Sequence, residues 1–222
     1  GAFRNPNSGN TTDVSNDYFI RTDGSDIELG PFGEEYTYTG ISGTFFWAGE
    51  DLDRSGTGRR KTLTLQEVDV SGADVARVSL RFGAAIENDP EFNLGFFEPR
   101  DSLVVRYSLD SGQTFETGLK FAFRPNPDYP SSMFNEAWAQ DTNLDGFGDG
   151  LPLTPALRRF SFDLPASAQT VVVQVDAYVD GSGEEFAFDD LRIQPATIRL
   201  DAPIADQTVT ASQAVLVDLA EA

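Results

Sequence analysis

The chain has 222 residues, and 36 Asp and Glu outweigh 16 Lys and Arg, for a formal charge of −20. A surface this acidic cannot neutralise phosphates, which excludes nucleic acid as a partner. With no His and no Cys, the chain also excludes disulfides, thiolate metal sites, ordinary zinc and iron centres, and Ser-His-Asp or Cys-His catalysis.

No apolar run reaches the ~18 residues of a membrane span, so no membrane insertion is expected. No signal peptide is visible, as expected of a mature secreted chain. Among the basic residues only Lys61 and Lys120 are lysines. Self-repulsion in so acidic a chain is relieved by divalent cations or salt, which fits a halophilic source or a calcium-rich extracellular setting.

Residues 1–16 are rich in Asn, Ser, Thr and Gly and read as an N-terminal arm without a core. Strand candidates begin with Asp17-Tyr18-Phe19-Ile20-Arg21-Thr22. Residues 36–48 carry strand propensity broken by glycines. An acidic turn follows with Glu50, Asp51 and Asp53. Regular alternation then marks Leu63 to Val70, Val78-Leu80-Phe82, Leu103-Val105-Tyr107, Leu119-Phe121-Phe123, Phe160-Phe162-Leu164, Val171 to Val179, and Phe186 to Ile193. Period two dominates and no helix of ~10 residues is found. This predicts an all-β, antiparallel sandwich over residues 17–194. Residues 195–222 lose all aromatics and glycine. They read as a linker plus one or two strands, too short to bury a core alone.

The segment 125–153 has few strand signals, and long loops of this kind are usually functional or metal-ordered. It contains Asp141-Thr142-Asn143-Leu144-Asp145-Gly146-Phe147-Gly148-Asp149-Gly150. Oxygen side chains recur at Asp141, Asn143, Asp145 and Asp149, Gly146 allows a sharp turn, and Phe147 offers its carbonyl. This is the first part of an EF-hand-type calcium loop. Pro152 stands where the bidentate Glu would be, and no amphipathic helix flanks it. The reading is a lone Ca²⁺ loop inserted in a β protein; the alternative is an Asp/Gly-rich turn that binds nothing.

A second calcium site is expected from Glu50, Asp51 and Asp53 together with Asp189 or Asp190; the alternative is simple solvation at strand ends. Adjacent carboxylates in a strand point to opposite faces, and the inward one needs a cation. Ser108-Leu109-Asp110-Ser111-Gly112-Gln113-Thr114-Phe115 fits an Asp-box hairpin, with a structural role expected. Pairs such as Glu184/Glu185 or Glu50/Asp53 offer two carboxyls for glycosidase chemistry, but every acidic chain offers such pairs, and the expectation is no enzyme. Trp138 and Tyr129, in the long loop, are the aromatics that could stack on a sugar ring, the commoner alternative being core or loop-anchoring packing; Trp47 is expected in the core.

The ordered motifs at 17–24, 43–53 (Gly-Thr-Phe-Phe-Trp-Ala-Gly-Glu-Asp-Leu-Asp), 68–72, 141–150 and 188–193 (Phe-Asp-Asp-Leu-Arg-Ile) resemble a jelly-roll module of large secreted bacterial proteins. Such modules stand beside extracellular nucleases, adhesin repeats and cadherin-like domains, and are similar to calcium-bearing carbohydrate-binding modules. The resemblance implies a calcium-ligating Asp in the last strand. The tail from Asp201 resembles the opening of a cadherin- or Ig-like domain.

The expected function is a non-catalytic, calcium-stabilised structural or adhesive module, secreted or on a cell surface. It would associate with itself or with other surface proteins through a C-terminal strand such as 209–219, as a filament subunit would. A carbohydrate-binding module, with a glycan partner, and an accessory domain of a secreted enzyme are the alternatives.

Overall fold

The computed structural model describes residues 18–24, 37–50, 52, 60–86, 99–124, 138–179 and 184–195. The terminal arm, Tyr129, Asp51, Asp53 and the tail from residue 196 lie outside the described residues. The elements are all strands: β1 (Tyr18–Thr22), β2 (Phe46–Glu50), β3 (Arg60–Thr64), β4 (Val68–Asp69), β5 (Ala76–Ile86), β6 (Ser102–Ser108), β7 (Glu116–Phe123), β8 (Trp138–Gln140), β9 (Arg158–Asp163), β10 (Thr170–Tyr178) and β11 (Glu184–Pro195).

They form a jelly-roll sandwich of two antiparallel sheets. One is ordered β1-β2-β11-β5-β9; the other is ordered β3-β10-β6-β7-β8, with β4 also paired to β10. Alternation drives the assembly. Along β10, Val171, Val173, Val175 and Ala177 are fully buried, while Gln174 and Tyr178 are only half-buried. Val78, Leu80 and Phe82 of β5 face them from the other sheet. Between the sheets lie Phe82 and Phe121, with ring centroids 4.5 Å apart, and Phe160 edge-on to Phe121 at 4.7 Å. Each such pair adds ~0.5–1.5 kcal/mol beyond burial.

A smaller core covers the opposite face of the first sheet. Tyr18, Ile20, Phe46, Ala48, Ala85 and Ala187 are roofed by Tyr38 and Leu157. Two loop segments make the roof, joined by Thr39 N–H donating to Pro155 O at 3.1 Å and Leu157 N–H to Thr39 O at 2.8 Å. Of the strand expected over 36–48, residues 37–45 are a covering loop with one isolated bridge, Thr39 to Ala156, and β2 begins at Phe46. Gly40 (φ 77°) and Gly43 (φ 88°) bend it through the left-handed region, where a strand cannot continue.

The Asp box closes the hairpin between β6 and β7. Asp110 Oδ1 accepts from the amides of Gln113 (3.1 Å) and Thr114 (2.9 Å) and from the Ser108 hydroxyl (2.6 Å), while Oδ2 accepts from the Thr114 hydroxyl (2.6 Å). The side-chain bonds from Ser108 and Thr114, then the Thr114 amide, hold its carboxyl far below the usual carboxylate range. A pKa lower in the folded state gives stability that is complete above the unfolded value of ~3.9 and is lost as pH falls through the folded value. Asp110→Asn is expected to be less stable than the parent at neutral pH and to converge with it in strong acid. Denaturant midpoints measured across the acid range check this; parallel curves would refute the assignment.

Candidate metal centre

The 141–150 stretch docks on β8, a short edge strand. Gly148 N–H donates to Phe123 O at 2.7 Å, and the amides of Asp149 and Gly150 both donate to Gln140 O at 3.0 Å. Between these anchors the chain turns through Leu144 (φ 61°) and Gly146 (φ 105°). Leu144 and Phe147 are pushed into solvent, and Phe147 leans on Phe123.

The oxygens of the loop already hold donors. Asp141 Oδ1 accepts the Asp145 amide at 3.1 Å, and Oδ2 accepts the Gly146 amide at 2.9 Å and the Lys120 ammonium at 2.7 Å. Asn143 Oδ1 also accepts the Asp145 amide, at 3.1 Å. Asp145 accepts the Phe147 amide at 3.0 Å and the Asn143 side-chain amide at 3.1 Å. Asp149 takes the Thr142 amide at 3.0 Å and its hydroxyl at 2.8 Å. The Thr142 amide, then its hydroxyl, hold the Asp149 carboxyl below the usual carboxylate range. The donor set has the chemistry of a hard-cation loop, but among the described residues no group of three or more His, Cys, Asp or Glu is gathered to hold a metal. In this geometry the loop's carboxylates are turned onto the chain's own donors.

The acidic turn leads elsewhere. Glu50 ends β2 and lies directly opposite Glu185 of β11, which in turn faces Ala85 of β5; Tyr18 of β1 flanks Glu50 on the other side. Residues opposed in a ladder share a face, so both glutamates sit on the roofed face of the first sheet. Their exposures are 0% and 1%. Like charges buried at cross-strand distance disfavour each other, a cost that a shared proton or cation relieves, and both residues also make interactions of their own. Asp51 and Asp53, expected beside Glu50, lie outside the described residues.

Asp189 and Asp190 do not join Glu50, contrary to the expectation from sequence. Asp189 lies four residues beyond Glu185 on β11, ~13 Å away at strand rise, and it faces Arg81. Its carboxylate accepts the Ser42 amide at 2.5 Å, from the roof loop. Asp190 adopts φ 53° where the register shifts between Asp189 and Arg192. It is gripped by Arg159 and by Arg192 at 2.5 Å, with Arg81 at 3.7 Å. Burial raises its pKa, but hydrogen bonds from Arg192 and Arg159 and then their charges outweigh this, and the net shift is downward. Asp190 is thus the anion of an arginine-clamped β-bulge, neutralised without metal.

Trp138 does not stand in a binding loop. It opens β8, is 0% exposed, and packs against Phe82 at 6.0 Å and Phe186 at 6.1 Å. Trp47 is half-buried, as expected of a residue against the core, and stacks on Phe188 at 6.2 Å. Two residues now matter that the motifs did not single out as metal-site partners. Glu185 has a sequence signal: paired acids at the head of a strand put one of them on each face. Lys120 has only a weak one, as a rare lysine whose apolar neighbours Leu119 and Phe121 point inward and so turn it outward.

No family model matches the chain, and no curated protein matches it. Among solved structures, the K1 cleaved adhesin domain of Lys-gingipain from Porphyromonas gingivalis W83 is 10% identical, over 89% of this chain and 90% of that one, with a TM-score of 0.38. The K2 cleaved adhesin domain of Lys-gingipain is 15% identical, over 88% and 99%, with a TM-score of 0.37. A structure described as "CBM4 structure and function" is 13% identical, over 85% and 93%, with a TM-score of 0.35. At these values the likenesses establish neither family nor function.

Proposed function

We propose that the chain is a non-catalytic binding module of an extracellular surface protein, adhesive in role, and that calcium steadies one end of its sandwich. The observation that carries this reading is the Glu50–Glu185 pair, buried and opposed in a chain of charge −20. A cation shared by the two carboxylates would offset the cost of burying them together. Extracellular modules commonly bind calcium with Kd ~10⁻⁴–10⁻³ M, matched to the supply outside cells. Burial also supports a non-catalytic role. Glu50, Glu184 and Glu185 are at most 1% exposed, and a buried carboxylate cannot flank a sugar as glycosidase chemistry demands. Self-association through residues 195–222 belongs to the same reading, although those beyond 195 lie outside the described residues.

At about 10 mM calcium the expected stabilisation is ~1.4–2.7 kcal/mol, a rise in Tm of roughly 3–11 °C over the chelated protein. Glu50→Gln is expected to abolish the calcium increment. Thermal melts in chelator and in calcium read the effect. Equal melting temperatures for the parent chain in the two buffers would sink the calcium reading.

A further inference from the structure

We propose that Lys120 takes the place of a metal ion in the 141–149 loop: a stretch with the residue pattern of a calcium loop closes instead around a tethered ammonium. The geometry centres on Asp141, whose side chain is fully buried while that of Lys120 is 22% exposed, with Nζ 2.7 Å from Oδ2. Asp141 also accepts the amides of Asp145 and Gly146. One carboxylate thus organises the turn from within, and the ammonium supplies its counter-charge.

Lys120 is fixed in place by its backbone. Its carbonyl accepts the Asp141 amide at 2.8 Å, which locks the two residues side by side across β7 and the loop. On β7 it alternates with the inward Leu119 and Phe121, so its side chain rises on the outer face beneath the loop. A Cβ built on Gly146 would stand 3.9 Å from Nζ, which puts the tip of the loop directly over the ammonium.

The choice of residue points the same way. The chain favours Arg almost everywhere and keeps lysine only at 61 and 120. An ammonium is a compact point charge with three rotatable donors, whereas a guanidinium is a broad planar fork. Only the former resembles a metal ion seated under a tight turn. A divalent cation among the same oxygens would lie within a few ångströms of a fixed positive charge, which disfavours it.

The test is peptide-resolved hydrogen exchange on the full chain, in chelator and in calcium. The amides of Asp145, Gly146 and Phe147 are expected to exchange equally slowly in both buffers. Loss of their protection in chelator would overturn the proposal, and this measurement needs no variant. In Lys120→Met the same amides are expected to exchange at least tenfold faster in chelator, while peptides of β10 keep their protection and show the fold intact. Unchanged exchange of the loop in that variant would also overturn it. Peptides spanning 46–50 and 184–189 report separately on calcium at Glu50 and Glu185, so failure of that reading is distinguishable.

Discussion

Trp138→Ala is expected to destabilise the sandwich rather than silence a binding surface. The indole lies in the shared interior of both sheets, against Phe82 of β5 and Phe186 of β11. Truncation removes the largest fully buried side chain of the described residues and leaves a cavity that a strand of three residues cannot collapse to fill. Phe or Trp to Ala in a core costs ~3–5 kcal/mol, a large part of the ~5–15 kcal/mol that holds a typical domain together. For a chain of this size Tm should fall by roughly 6–20 °C. β8 should suffer first, since it holds only β7 among the strands and carries the loop that begins at Asp141. Trp138→Phe, which keeps most of the packing, should lose much less. Melting followed by circular dichroism decides the matter: a variant that melts with the parent would return Trp138 to the surface.

The case of Trp138 marks what the sequence could tell and what it could not. Strands with seven or more alternating residues were legible, because one face had to be buried: β6, β7 and β10 lie where their patterns placed them. β8 was not, since three residues cannot display a period, and so its tryptophan read as a loop aromatic. The second core was hidden for a different reason. Tyr38 and Leu157 come from segments without alternation, and only the folded chain lays them over Ala85 and Ala187. At the acidic turn, which carboxylate faces Glu50 was a question of register. A strand pairing sets Glu185 there, and a bulge before Arg192 turns Asp190 toward arginines. In the 141–149 loop the oxygens could be read directly. The ammonium that answers them comes from 21 positions away, on a strand whose own pattern says only that Lys120 faces outward.

Gly148→Val is expected to detach that loop and destabilise the edge of the second sheet. A Cβ at this position would stand 2.7 Å from Ala122 O and 2.8 Å from Ala139 O, with the Ala139 side chain at 2.9 Å. The obstacles are mainly backbone, from two paired strands, so neither can swing aside as a side chain would. The loop itself must lift, and lifting it breaks the Gly148 amide bond to Phe123 O. Overpacking of this kind costs ~1–3 kcal/mol, with rigid neighbours at the upper end, and a valine adds two further carbons to the clash. A Tm lower by roughly 6–12 °C is the expected reading. Gly72→Ala serves as the control, because an added Cβ there meets nothing within 4 Å and should leave Tm within about 1–2 °C of the parent. If Gly148→Val melted like that control, the loop would not be held against β7 and β8. The tethering of Asp141 over Lys120 would then lose its structural basis, since the same docking brings the two together.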